Sequence, residues 1–444
     1  MPRRIVRRGW AGFWPGLVCL AALTLAACET EQTLPGTRVG LRGEPLAPPQ
    51  QAVSGNVVAG LPAAFPARDW PERAREADRQ TGHTTLAPAP RQLWSVDIGR
   101  GNDRRHRITA DPVVAGGVVY TMDSRGVVGA TTTGGQAVWR VSAAPPGDRR
   151  SGVSGGGLAV SGGRLYVTTG YGELIALNPR TGGRYWTQDL RSAASAPPSA
   201  IGGRVYAATS DATGWAVDGA TGKVLWTVRG VERDLGILGA GAPAAGEGLA
   251  VFAFESGEIF AADAASGTPR WRGFVAGQRT GPAMAAYPDI SGDPVIANGT
   301  VVAASQAGRM TVFGTGDGAV RWAAGTGAMS PPAVAGNSIF VVSDRNELVR
   351  LDRASGRTVW SVPLPLYTRT SLRRRTGTFA HYGPVLSGGR LWVASSDRTL
   401  RAFDPSTGGL VSSIELPGRV TANPAVANGV LYLVTEDGRL HAYR

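Results

Sequence analysis

Cysteine is almost absent from this chain of 444 residues: Cys19 and Cys28 are the only two, both within the first 28 positions. Everything after Cys28 therefore lacks a disulfide to staple it and a thiol for chemistry or soft-metal binding. Histidine is nearly as scarce. His83, His106, His381 and His441 stand far apart without ligand spacing, so no metal site is expected. No stretch after residue 90 carries a convincing amphipathic helical period, which argues against bundles and α/β folds. Gly152-Val153-Ser154-Gly155-Gly156 matches a nucleophile elbow in letters only, because it enters a strand from a loop and no helix follows. No catalytic residue is assigned.

What the chain does have is glycine, 63 residues of it, and a regularly spaced tryptophan. Trp94, Trp139, Trp186, Trp226, Trp271, Trp322 and Trp360 recur 38 to 51 residues apart. A period of that size, in units that read as strands, marks a repeat architecture. In the unit ending at Trp226, short strand-like runs are separated by Gly202-Gly203 and by Asp218-Gly219-Ala220-Thr221-Gly222. Pairs such as Gly202-Gly203 and Asn298-Gly299 suit the tight hairpin turns that tolerate positive φ. The Asp of each second turn (Asp218, Asp263, Asp352, Asp404) reads as a turn cap, and each Trp as core filling the wedge between repeats. Ser412 stands where the seventh unit would have its Trp, so looser packing is expected there.

Four antiparallel strands per unit make a blade, and eight first strands can be counted. The last unit stops at Tyr443-Arg444 after its third strand, and the missing fourth stands in Gln92–Val96. The expected fold is all-β: an eight-bladed β-propeller over residues 91–444 whose last blade is closed by the N-terminal strand.

Residues 1–27 form a leader with Arg3, Arg4, Arg7 and Arg8 ahead of an apolar run. It ends in Leu25-Ala26-Ala27-Cys28, which resembles the lipobox of bacterial lipoproteins and implies lipidation of Cys28; an uncleaved anchor helix is the alternative. Glu29 after the Cys resembles the outer-membrane sorting pattern. Residues 28–90, rich in Pro and Ala, read as a tether with a short helix around 71–79, part of which can pack on the propeller. A coil of that length spans about 40–45 Å.

The formal charge of +13 is concentrated in Arg104, Arg105 and Arg107, in Arg149 and Arg150, and in Arg373, Arg374 and Arg375. Each group lies in a connection between blades, and such connections share one face. They read either as solvated loop charge or as a basic face for an acidic protein surface or anionic headgroups. The export signal argues against nucleic acid.

The Ala-x-Asp-x-x-Thr-Gly-x-x-x-Trp pattern resembles the PQQ-like propeller repeat family over nearly all of 91–444. Within it, quinoprotein dehydrogenases hold pyrroloquinoline quinone beneath a disulfide of adjacent cysteines, with calcium on Glu, Asn and Asp. This chain lacks the cysteine pair. The lipobox, the eight blades and the split last blade look more like the BamB family of outer-membrane β-barrel assembly lipoproteins. That resemblance implies a non-enzymatic scaffold on the periplasmic face of the outer membrane, without cofactor or small-molecule substrate, docked on the POTRA domains of a barrel-forming subunit. The docking leucines of the family match Leu235 and Ile237, Leu238 replaces its Arg, and Asp289 matches the first of two acidic positions, with Ser291 in place of the second. Leu235, Ile237 and Leu238 form an apolar patch in a loop, which needs a partner or a fold-back contact. A quinoprotein dehydrogenase and a propeller binding a glycan or cell-wall ligand in its channel remain the alternatives.

Overall fold

A computed structural model describes residues 59–145, 153–232, 241–275, 277, 292–328, 330–369, 371 and 377–444. Strands in this part form eight four-stranded antiparallel sheets, the blades of a propeller. Their first strands are Val113–Ala115, Gly156–Ser161, Ser199–Ile201, Ala244–Gly246, Gly292–Ala297, Ala333–Ala335, His381–Ser387 and Ala425–Ala427, for blades 1 to 8 in turn. Blade 8 takes its fourth strand, Gln92–Asp97, from the other end of the repeat region. It pairs antiparallel with Arg439–Tyr443, Ser95 lying opposite His441. The ring is thus closed by main-chain hydrogen bonds.

Within a blade the rows of side chains explain the sequence pattern. Tyr206, Ala216 and Trp226 face one another on the second, third and fourth strands of blade 3. The small Ala lets the rings of Tyr206 and Trp226 approach to 5.8 Å between centroids. The indole then reaches the next blade, where its Nε1 donates to Ala265 O at 3.2 Å. Gly267 lies against the ring; a Cβ there would come 2.6 Å from it, so glycine is required by the close approach as well as by its φ of +74°. All seven repeat Trp residues donate in this way to the following blade, from Trp94 to Thr133 O through Trp360 to Pro405 O. Four of the turns receiving them are capped by Asp218, Asp263, Asp352 and Asp404, Asp218 accepting Thr221 N at 2.8 Å and Thr221 Oγ1 at 2.7 Å.

Blade 7 departs from the row. Ser412 stands opposite Ala402, and Ala402 opposite Trp392. Trp392 occupies the second-strand place that Tyr206 holds in blade 3; it is fully buried and donates from Nε1 to Ser387 O at 3.0 Å, and only the fourth-strand ring is missing. The physical reason lies in blade 8. Its third and fourth strands come from distant parts of the chain, so no turn joins them, and a Trp at 412 would find nothing to cap.

The turn after the first strand of every blade, and the turn after the third strand in blades 1 to 7, lie on one face (the turn face), and the blade-to-blade connections lie on the other (the connection face). Residues 59–88, expected as part of a tether, pack across the turn face and reach all eight blades. Ala59 O accepts from Ser338 in blade 6, and Ala67 O from Asn428 N in blade 8. Trp70 exchanges two hydrogen bonds with Val114 in blade 1, and Pro71 O accepts from Val160 N in blade 2. Glu72 meets blade 3, Ala77 O accepts from Ala245 N in blade 4, and Asp78 O from Ile296 N in blade 5. Thr84 then pairs with Leu386 and Gly388 in blade 7. These bonds occupy inner strand edges that would otherwise stay open. The short helix expected around 71–79 does not form. Ala74, Arg75 and Arg79 adopt φ of 56°, 77° and 66°; Arg75 N, Glu76 N and Arg79 N close short turns within the segment, while Pro71 O, Ala77 O and Asp78 O accept from blades.

Candidate functional site

The connection face carries most of the sequence-derived candidates. Arg104, Arg105 and Arg107 lie between the closing strand and blade 1, and all three are exposed. Asp103 organises that loop: its carboxylate accepts from Arg105 N, His106 N, His106 Nδ1 and Arg125. The backbone amides of Arg105 and His106 and the imidazole hold this carboxyl well below the usual range. Arg107 N donates to Ser154 at 2.9 Å, linking this connection to the next. Arg149, Arg150, Arg373, Arg374, Arg375, Leu235, Ile237, Leu238, Asp289 and Cys28 all lie outside the described residues. The strands flanking them are described. The loop with Leu235 leaves blade 3 after Arg229 and enters blade 4 at Ala244; the loop with Asp289 leaves blade 4 after Phe274 and enters blade 5 at Gly292. Both loops therefore start and end on adjacent blades of one rim.

The channel holds a charge cluster that the sequence pattern did not reveal. Arg73 donates to Asp111 at 2.6 Å and to Asp293 at 3.4 Å. These carboxylates belong to blades 1 and 5, opposite one another in the ring, so Arg73 spans the axis. Burial pulls its guanidinium down, but the charges of Asp111 and Asp293 outweigh burial and hold it above its ordinary value. Arg79 is wholly buried and donates to Pro243 O at 2.9 Å, Arg73 O at 2.9 Å and Pro198 O at 3.3 Å. Glu72 lies 3.7 Å from Arg79 and accepts from Ser199 Oγ and Ala200 N. Burial outweighs these partners and pushes the Glu72 carboxyl up to about 7. Trp70 was the available clue, a large ring in a stretch otherwise read as tether.

Glu72 predicts a pH dependence. A carboxyl raised from 4.5 to about 7 on folding favours the native state below 4.5, and that advantage is lost as pH rises through 7. The size is up to about 3 kcal/mol. Buried His381 and His441, whose pKa burial lowers, act oppositely near 6.5, so the comparison must be with Glu72→Gln. In urea unfolding, the stability of wild type minus that of Glu72→Gln should fall between pH 5 and pH 8. A difference that is constant or rises contradicts the assignment.

The four His residues have separate structural partners. His83 lies against Pro62 O and Gly389 N, His381 against Ser395 and Pro365 O, and His441 against Thr435. Among the described residues no group of three or more His, Cys, Asp or Glu could hold a metal ion.

The family model described as outer membrane protein assembly factor BamB matches residues 124–362 and 368–444. The chain belongs to the BamB family. BamB of Salmonella typhimurium is 29% identical over 360 residues, covering 80% of this chain and 88% of that one. BamB of Escherichia coli K12 is 27% identical over 359 residues, with the same coverage. Among solved structures, BamB from Moraxella catarrhalis superposes with a TM-score of 0.64 at 20% identity, over 80% of this chain and all of that one. A quinohemoprotein alcohol dehydrogenase from Comamonas testosteroni superposes with a TM-score of 0.67 at 14% identity, over 86% of this chain and 81% of that one. At such identities the superpositions show the shared propeller alone. The BamB family model begins at residue 124, so the channel plug of residues 59–88 stands outside the matched region.

Proposed function

We propose that this chain is a non-enzymatic scaffold subunit of the outer-membrane β-barrel assembly machinery, anchored at the periplasmic face by a lipid on Cys28. The observation that carries the reading is the BamB family match across most of the propeller. The relatives named outer membrane protein assembly factor align over 88% of their own length, which supports a shared role for the whole propeller. In this reading Leu235, Ile237 and Leu238 from the loop between blades 3 and 4, with Asp289 from the next loop, engage the POTRA domains of the barrel-forming subunit. Arg104, Arg105 and Arg107, with Arg149, Arg150, Arg373, Arg374 and Arg375, widen or steer that contact. The turn-face side of the channel is filled by Arg73 and Arg79, which favours a scaffold over a channel-ligand propeller.

The test is recovery of purified POTRA domains on the immobilised protein. Apolar anchors at the centre of an interface contribute about 2 kcal/mol or more each, so Leu235→Ala with Ile237→Ala should weaken binding by at least roughly ten-fold. Undiminished recovery by the double variant removes these residues from the contact.

A further inference from the structure

The plug is fastened unevenly along its length. Near its two ends it is held by apolar burial, since Trp70 and Leu86 enter one core cluster with blades 1, 7 and 8. Between them, residues 71–83 cross the axis with Pro71, Ala74 and Ala77 as their only apolar side chains; apart from Gly82 the rest are charged or polar. Little hydrophobic burial therefore holds this arc. Ala74, Arg75 and Arg79 lie in the left-handed region, where a side chain strains the backbone. The ring itself is closed without the arc, by Gln92–Asp97 on Arg439–Tyr443. The arc can thus leave the blades while the ring stays intact.

What fastens the arc is polar. Pro71 O, Ala77 O and Asp78 O accept from Val160 N at 2.8 Å, Ala245 N at 2.7 Å and Ile296 N at 2.9 Å, in blades 2, 4 and 5. In blade 3 the wholly buried Glu72 carboxyl accepts from Ala200 N at 2.8 Å and Ser199 Oγ at 3.1 Å. The charged groups about this carboxyl are Arg79, at 3.7 Å, and Glu76, itself paired with Arg75. Arg73, Asp111 and Asp293 lie beyond Arg79.

We infer that residues 71–83 are a latch that closes when Glu72 is protonated and lifts from blades 2 to 5 when it ionises, while the ring and the Trp70 and Leu86 anchors stay in place. The inference does not rest on the scaffold reading. In the lifted arc the carboxyl returns to water and its ordinary value of 4.5, whereas docked it is pushed up to about 7, by burial first. Docking is therefore favoured fully below 4.5, and the advantage is lost as pH rises through 7. Over pH 5 to 8 such a shift raises the opening constant by roughly 50-fold.

Amide hydrogen exchange on the full chain tests this, with Glu72→Gln as the reference. After division by intrinsic rates, exchange at Val160, Ala245 and Ile296 in wild type relative to the variant should rise by roughly 50-fold from pH 5 to pH 8. Amides of the middle strands, such as those of Val205 and Val217 in blade 3, should stay protected in both proteins. His83, whose Nε2 accepts from Gly389 N at 2.9 Å, is present in both and cancels in the ratio. A ratio that is constant or falls with pH overturns the role of Glu72. Release of Val160, Ala245 and Ile296 only together with Val205 and Val217 means that the whole ring opens, and overturns the latch. Should Glu72→Gln fail to fold, wild type gives the reading alone: protection at the three arc-bound amides must fall from pH 5 to pH 8 while that of Val205 and Val217 holds.

Discussion

Arg79→Ala lowers the unfolding free energy by about 3–5 kcal/mol, the cost of breaking a buried ion pair by removing one partner. The side chain is wholly buried, and its guanidinium bonds the carbonyls of Pro243, Pro198 and Arg73. Removing it takes the guanidinium donors from these carbonyls, of which Pro243 O keeps Ser199 Oγ at 2.9 Å, and leaves Glu72 without its closest cation. Because Arg79 joins the plug to blades 3 and 4, the damage falls on the contact that holds the plug across the channel. A drop in the urea midpoint at unchanged slope is the expected signature. The pair with Glu72 adds a sign: Arg79→Ala should be less harmful at pH 5, where the carboxyl is protonated, than at pH 8. A variant within about 1 kcal/mol of wild type at both pH values would mean that the plug is not held through Arg79.

Trp392→Ala should cost about 3–5 kcal/mol as well, by a different mechanism. The ring is fully buried in blade 7, packed in the core shared with blade 8, and its loss leaves a cavity that β-sheet backbone on both sides cannot close. Adding the ring back on the fourth strand, as Ser412→Trp in the Trp392→Ala background, should not restore stability. The seven repeat Trp residues each donate to a turn in the following blade, and blade 8 has no such turn between Arg439–Tyr443 and Gln92–Asp97. Full recovery in the double variant would show that a fourth-strand ring is accommodated beside blade 8 and that the split blade is not the reason for Ser412. Thermal or urea unfolding of the three proteins decides it.

The propeller was legible because its determinants are local and repeated. The Asp-Thr-Gly turn and the Trp after it recur in register with the strands, and the tight-turn pairs mark the hairpins between first and second strands. Ring closure followed from one missing strand at one end and one spare strand at the other. The plug was not legible, because nothing local specifies it. Ala74, Arg75 and Arg79 are residues that favour helix, and they take left-handed conformations only because eight inner strand edges bind the segment. Arg73 and Asp293, 220 positions apart, meet only once the ring has closed. Ser412 was visible as a gap, but that Trp392 stands in the same row, as Tyr206 does in blade 3, could be read only from the register that sets it opposite Ala402. The docking residues Leu235, Ile237, Leu238 and Asp289 were drawn from family resemblance, because a loop leaves no periodic trace in a sequence.

The most direct test of the scaffold account is affinity purification of the lipidated protein from its own membranes, with mass spectrometry of what accompanies it. The account predicts stoichiometric recovery of a POTRA-bearing outer-membrane barrel protein, lost on Leu235→Ala with Ile237→Ala. Recovery of the lipoprotein free of any barrel protein, from membranes where that barrel protein is abundant, would contradict it.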